Sequence, residues 1–350
     1  MAVGTDRQEK LVSFAIIDAA AGGDARGCGC AERSRYCTAI ANLPLICHVF
    51  DELAAAGIDR VRVVVSPDRR EELEHVLDGG RPWQVEVSYS TAAEHDGRAA
   101  ALAALGQVVS DEPVLVYPGD CLFPGQVAAM WERYRAGDVD AVVLGAGNGV
   151  GGRGRSAAAE RSERVSSAPA IIGPRGATVV DRLRSGIGYH DLADWLRTSD
   201  YRVAVCELGG HWRYSDQTGD LLVANRMMLD ALPVPTVEGS FGDNNAVHGR
   251  VAISSSARVS GSTLHGPVSV DDDAVIEDSF VGPFTAIGAG AILNGAEIDN
   301  TMVLAGAEIS HPGQRIEGSI IGEHASVVRS FALPRGLHVR LAPHSRLTLS

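Results

Sequence analysis

The chain has 350 residues, 45% of them apolar, and a formal net charge of -13 at pH 7. That length allows two domains, no run approaches the ~20 apolar residues of a membrane span, and an acidic chain lacks the basic patches through which nonspecific nucleic-acid binders release counterions. Composition and charge therefore exclude membrane and nucleic-acid partners. At the N-terminus, Leu11 to Ile17 is apolar and Ala19-Ala20-Ala21 is small, which superficially resembles a secretory leader. Asp18 interrupts that pattern and the preceding residues carry no net positive charge, so no export is expected and the chain is assigned to the cytoplasm.

Phe14-Ala15-Ile16-Ile17 predicts a buried first strand, and Ala19 to Gly23 a small-residue turn through which backbone can approach phosphate. The segment Ile40 to Ile46 leads into an amphipathic helix, Val49 to Ile58, with Gly57 as its C-cap, and a second strand follows over Val61 to Val65. Leu115-Val116-Tyr117 reads as a core strand running into Pro118-Gly119-Asp120, which puts a carboxylate where open α/β sheets hold ligands. Gly145 to Ser167 reads as a loop rich in Gly, Arg, Ser and Ala, and its arginines between Arg153 and Arg164 alternate with glutamates as on a solvated surface. His190 to Leu196 predicts a surface helix, with Trp195, like Trp212, read as core or cleft wall. A further helix containing Ala224 to Leu232 ends at Pro233-Val234-Pro235.

From about Val251 the pattern changes to one aliphatic residue every five or six positions. The inward set is predicted as Ile253, Val259, Leu264, Val270, Ile276, Val281, Ile287, Ile292, Ile298, Val303, Ile309, Ile316, Ile321 and Val327. This near-constant step predicts a parallel β-helix of the hexapeptide type, in which successive coils bury one axial core. The six cysteines, Cys28, Cys30, Cys37, Cys47, Cys121 and Cys206, are irregularly spread and predicted to be free thiols, since Cys28, Cys30 and Cys37 have no fourth ligand at zinc spacing.

These segments resemble the sugar-1-phosphate nucleotidylyltransferases, specifically the long-form glucose-1-phosphate thymidylyltransferases. Those enzymes open with a strand, Gly-Gly-x-Gly-Thr-Arg, a basic loop containing one lysine, and Pro-Val-Ala-Asn-Lys-Pro. The corresponding residues are Ala20-Ala21-Gly22-Gly23-Asp24-Ala25, then Arg35 at the lysine, then Ala39-Ile40-Ala41-Asn42-Leu43-Pro44. The resemblance implies an α/β class with a Rossmann-like mixed sheet over residues 1–240, a left-handed parallel β-helix over 241–333 and a tail over 334–350. It implies nucleotide-binding roles for Gly22, Gly23, Gly97 and Gly119, and cationic roles for Arg26 and Arg35. Asp120 matches the first of two magnesium-binding aspartates. The second falls on Tyr214, leaving Asp216 as the nearest carboxylate that could serve instead.

The departures from the family cluster at the chemistry. The base-reading loop Gln-x-x-Pro-x-Gly-x-Ala-x-Ala matches Ala92 to Ala101 with Ala92 and His95 at its glutamine and proline positions, and the Val-Glu-Lys-Pro segment is missing before Ala168-Pro169. Lys10 is the only lysine in the chain. Nucleotidyl transfer proceeds by in-line attack on the α-phosphorus, so its catalysis is mostly positioning and charge neutralisation, and lost cations remove most of the mechanism. The expectation is a relative with weak, altered or absent catalysis that binds a nucleotide or sugar phosphate, as a homo-oligomer or as a subunit beside an active homologue. The alternative is a magnesium-dependent enzyme acting on an unusual sugar or cyclitol phosphate. Acyl transfer by the β-helix would need one of His248, His265, His311 or His324 as a base, and these read instead as exposed corner residues.

Overall fold

The computed structural model describes residues 14–20, 24–25, 30–91, 112–145, 169–174, 201–207, 209–215, 217–232, 236–237, 240–241 and 244–329. Seven strands form the central sheet: β1 (Phe14–Ala19), β2 (Arg60–Val65), β3 (Glu86–Thr91), β4 (Val114–Pro118), β5 (Ala141–Gly145), β6 (Ala170–Ile172) and β7 (Val203–Glu207). Their order is β7-β5-β6-β4-β1-β2-β3. Only β6 runs antiparallel to its neighbours, so the sheet is mixed. The chain leaves β1 toward β2 on one side and reaches β4 on the other. The crevice at the carboxyl ends of β1 and β4 is therefore a topological switch point.

Helix α1 (Leu45–Ala55) buries Ile46, Val49, Phe50 and Leu53, the i, i+3, i+4, i+7 spacing of a single apolar face. It begins at Leu45 rather than Val49, because Pro44 can stand at a helix start but not inside one. Its end is as the sequence indicates, with Gly57 at φ 80°, a left-handed backbone that glycine adopts without strain. Helices α2 (Arg70–Leu77) and α3 (Gln126–Arg135) add Leu73, Leu77, Val127 and Met130 to a core shared with Ala15, Ile17, Val61, Val63, Leu115 and Tyr117. Each fully buried aliphatic there contributes about 1.5–3 kcal/mol.

The described residues between 236 and 329 wind into a β-helix of three parallel sheets with six, six and five strands. This fold and the α/β domain before it have the architecture expected from the sequence, including the left-handed parallel β-helix. One column of inward residues runs Ile253, Val270, Ile287, Val303, Ile321, each paired with the next. Two short strands that begin ahead of residue 241, Thr236–Val237 and Ser240–Phe241, already pair into the first two sheets. Buried Ser262 and Ser279 form a ladder at one corner: each hydroxyl donates to a carbonyl of its own coil and accepts an N–H from the next. Backbone groups at the bend are thereby satisfied without water.

One inward residue differs from the sequence reading. Ile292 is exposed, and its neighbour Leu293 lies in the core between Ile276 and Ile309. A five-residue step is normal somewhere in each coil, but register with the coils above and below fixes which residue faces the axis.

The two domains share a hydrophobic cluster: Ile40, Leu45, Leu122, Trp212, Tyr214, Leu221 and Ala224 pack with Met302 and Leu304 of the β-helix. Two asparagines fix the junction. Asn42, at φ 72°, donates its amide to Ser269 and to the Ile287 carbonyl. Asn225, in helix α4 (Thr218–Asp230), accepts from the Ala41 N–H and donates to the Phe284 carbonyl.

Candidate functional site

The carboxyl ends of β1 and β4 are held together by the Gly119 N–H, which donates to the Asp18 carbonyl at 2.8 Å. A Cβ at Gly119 would stand 2.9 Å from that oxygen and 3.0 Å from Ile17 Cγ2, so only glycine allows this approach. The next residue, Asp120, projects at the strand end and is almost fully buried. Its Oδ1 accepts from the Cys121 thiol at 3.3 Å. Its Oδ2 lies 3.8 Å from Arg35 Nη1 and 3.8 Å from Arg213 Nε, so one carboxylate oxygen faces two guanidiniums.

Local structure explains each arginine. A one-turn helix, Arg35–Cys37, is capped by Ser34, whose hydroxyl accepts from the Tyr36 N–H, while the Ser34 N–H donates to the Glu72 carboxylate. This points Arg35 into the crevice, its guanidinium carbon 5.2 Å from the Tyr214 ring centroid. The short strand Trp212–Arg213 pairs antiparallel with Cys121–Leu122, and the Tyr214 N–H donates to the Asp120 carbonyl. Alternation along the strand sends Trp212 into the domain junction and Arg213 toward Asp120. Trp212 is core, its indole N–H bonded to the Asp220 carbonyl, as expected.

Arg35, Gly119 and Asp120 are thus brought together. Gly22, Gly23, Arg26, Gly97 and Asp216 lie outside the described residues, as do the base-reading loop, most of the Gly145 to Ser167 segment, the helix around Trp195 and the C-terminal tail. Sequence reasoning missed Arg213. The signal was its place one residue before Tyr214, on a two-residue strand that must lie beside Asp120. Tyr214, which the sequence resemblance aligns with a metal-binding aspartate, is a buried ring packed edge-on to Trp212 with centroids 6.1 Å apart. Asp220, the other described acid of this segment, accepts from the Ser215 hydroxyl. Among the described residues no cluster of three or more His, Cys, Asp or Glu side chains could hold a metal. Asp216, the other carboxylate expected at a metal, lies outside the described residues, which place Asp120 with Arg35 and Arg213.

Among the described residues, Cys37, Cys47, Cys121 and Cys206 form no disulfide. Burial pushes the Cys47 thiol up to about 12, which keeps it unreactive. A cavity of about 260 Å³ lies behind the Asp120 loop, lined by residues that include His48, Asp51, Glu52, Phe123 and Met228. None of Arg35, Asp120 or Arg213 lines it. On the β-helix, His248 and His265 are exposed, their rings tilted by 52° with centroids 4.7 Å apart, and the rings of His311 and His324 lie over the corner glycines Gly295 and Gly306. No helix among the described residues is long and apolar enough to cross a membrane.

A mixed sheet with an acidic residue at its switch point, joined to a left-handed β-helix, is a Rossmann-like α/β domain with an appended β-helix. The nucleotidyl transferase family model matches residues 33–148. Glucose-1-phosphate thymidylyltransferases of Streptomyces antibioticus and Streptomyces griseus are each 26% identical to the chain. The first match covers 90% of this chain and 94% of the relative, the second 89% and 92%. The low-salt glycan biosynthesis nucleotidyltransferase Agl11 of Haloferax volcanii is also 26% identical, over 89% and 92%. A Bacillus anthracis crystal structure described as a glucose-1-phosphate thymidylyltransferase in complex with a sucrose superposes with a TM-score of 0.51 at 16% identity. It covers 62% of this chain and 94% of its own, and supports the fold alone. The chain thus carries a nucleotidyl transferase match and is similar, over about nine-tenths of its length, to glucose-1-phosphate thymidylyltransferases, and it has a C-terminal left-handed β-helix.

Proposed function

We propose that this chain holds a nucleotide or sugar phosphate in the inherited crevice while transferring nucleotidyl groups weakly or not at all, and that it serves nucleotide-sugar biosynthesis in the cytoplasm. It would do so as a ligand-binding protein or a subunit, in a homo-oligomer or beside an active homologue. The observation that carries this reading is the exchange at the metal position: buried Tyr214 stands where the family has an acid, and Arg35 and Arg213 face the remaining aspartate. Attack on an α-phosphorus needs the charge of the triphosphate neutralised in line with the leaving pyrophosphate. A residue set with one carboxylate already matched by two cations supplies anion binding more readily than it supplies a metal-bridged transition state. The names of the relatives, thymidylyltransferases and a glycan-biosynthesis nucleotidyltransferase, point to phosphorylated sugars and nucleotides as ligands.

The test is pyrophosphate release from a panel of sugar-1-phosphates and nucleoside triphosphates with magnesium, run beside Asp120→Ala. No release above background, with a ligand-dependent rise in melting temperature, is the expected result, because a ligand binding only the folded state stabilises it. Release that Asp120→Ala abolishes would overturn this reading in favour of an active enzyme on an unusual sugar or cyclitol phosphate.

A further inference from the structure

We propose that the β-helix sheet running from Ser240–Phe241 to Ser326–Val328 is a self-complementary face on which a second copy of this chain docks antiparallel, about a two-fold axis. This dimer is one form of the homo-oligomer proposed above and rests on that part of the reading, not on what the crevice binds.

The β-helix has three sheets, and the α/β domain covers one of them: Ser269 holds the Asn42 amide and Met302 joins the junction cluster. On the sheet proposed for docking, Val259, Ile276, Leu293 and Ile309 are buried on the axis. Alternation therefore turns the residues on either side of each one outward. They form two columns. The first runs Arg258, Val275, Ile292, Glu308, in register from coil to coil. Ile292 is 44% exposed and Val275 half-buried, so an apolar centre is flanked by opposite charges, each one coil away. The second column runs Ser260, Glu277, Asn294, Ser310, with the Asn294 amide donating to the Glu277 carboxylate at 3.5 Å.

A two-fold axis lying along the strands, between the coils of Val275 and Ile292, sets each column opposite itself in reverse order. Arg258 then faces Glu308 of the second copy at both ends of the contact, and Val275 faces Ile292 twice in the middle. In the second column Glu277 meets Asn294, whose amide has a further N–H to donate, and serine meets serine. An isologous contact has to be complementary to itself in this way, and opposite charges across it fix register and orientation. Sliding the copies by one coil would put Arg258 opposite Ile292, or Glu308 opposite Val275. Three-residue strands about 10 Å long, stacked about 4.8 Å apart, make a face of a few hundred Å². Stable dimers bury about 800 Å² per partner, so this association is weak and reversible.

Sedimentation velocity of the full chain between about 5 and about 500 μM tests the face. The parent is expected to pass from monomer to dimer. Arg258→Glu and Glu308→Arg should each weaken self-association by about tenfold or more, because each sets like charges opposite one another twice. Mixed in equal amounts, the two variants should form a dimer within about threefold of the parent's affinity. One copy is then acidic at both positions and the other basic at both. Ile292→Asp should abolish the dimer by placing a charge at its apolar centre. Melting temperatures at the lowest concentration show whether the variants are folded. Should a charge variant not be, Arg258→Ala and Glu308→Ala replace the pair: weakening in both supports the face, and an unchanged dimer in either overturns it. A mixture that associates no better than its components would overturn the face, as would a parent dimer that neither charge variant weakens; the latter leaves a homo-oligomer standing. A parent monomeric at every concentration overturns the face and the homo-oligomer together, and leaves the crevice reading untouched. Pyrophosphate release from a dimer that behaves as described would overturn the loss of catalysis and keep the face.

Discussion

The Arg35 guanidinium lies 5.2 Å from the centroid of the Tyr214 ring, and that ring is itself buried edge-on against Trp212. The aromatic residue joins the Arg35 side of the crevice to the hydrophobic cluster at the domain junction, which includes Met302 and Leu304 of the β-helix. Truncating Tyr214 opens a cavity in that cluster and removes the support beneath Arg35. Tyr214→Ala should therefore lose about 3–5 kcal/mol of unfolding free energy in a urea titration. A loss below about 1 kcal/mol would mean that the ring is not packed as described.

The asparagine clamp between the domains makes a second prediction. Asn225→Ala removes the acceptor of the Ala41 N–H and the donor to the Phe284 carbonyl together. Each buried group left unpaired costs about 1–3 kcal/mol. Asn42→Ala acts on the same turn through Ser269 and Ile287. A double-mutant cycle by chemical denaturation should show a coupling of at least about 0.5 kcal/mol, because both residues hold one turn against one coil. Strict additivity would show that the two contacts act independently.

Gly119→Ala tests the approach of β4 to β1. Its Cβ would meet the Asp18 carbonyl and Ile17 Cγ2 at 3.0 Å or less, so the strand ends must separate, at a cost of about 1–3 kcal/mol. Thermal unfolding would detect that loss as a drop of several degrees, and an unchanged melting temperature would show that the strand ends have room to give.

Two neighbouring residues of α1 give opposite pH dependences. Burial lowers the His48 pKa below 6.5, opposed in part by its 2.7 Å contact with the Ile40 carbonyl. The folded state binds its proton less readily than the unfolded chain, so its contribution is present above 6.5 and lost as pH falls through the folded value. Burial raises the Glu52 pKa above 4.5, opposed by hydrogen bonds from Tyr117 and Val127. Its contribution is complete below 4.5 and lost as pH rises through the folded value. Urea titrations from pH 4 to pH 8 should show that His48→Gln removes a loss of stability on the acid side and Glu52→Gln a loss on rising pH. The same slope in both variants and the parent would contradict these assignments.

Much of the architecture was legible because it rests on periodicity. The α1 face, the Gly57 stop and the β-helix step are each written in the spacing of apolar residues. Ile292 and Leu293 mark the limit of that signal, since both are aliphatic and only register with Ile276 and Ile309 chooses between them. Leu293→Ala should accordingly cost about 2–5 kcal/mol, and Ile292→Ala, at an exposed position, about 0.5 kcal/mol or less. At the candidate site, Asp120 and Arg35 could be found by matching motifs, whereas Arg213 could not. Its role depends on pairing between Trp212–Arg213 and Cys121–Leu122, two strands about ninety residues apart that are too short to carry a pattern of their own. The clamp by Asn42 and Asn225 was hidden for the same reason: a side chain's partner across a domain junction leaves no mark in local sequence.

Whether Asp120 answers to two arginines and not to a metal decides the rest. The most direct measurement is electron paramagnetic resonance of manganese bound in the presence of a non-hydrolysable nucleoside triphosphate, comparing the parent chain with Asp120→Asn. The account predicts that the protein-bound manganese signal is the same in both, within about threefold in apparent affinity. A stoichiometric manganese site in the parent that weakens by about tenfold or more in Asp120→Asn would contradict it.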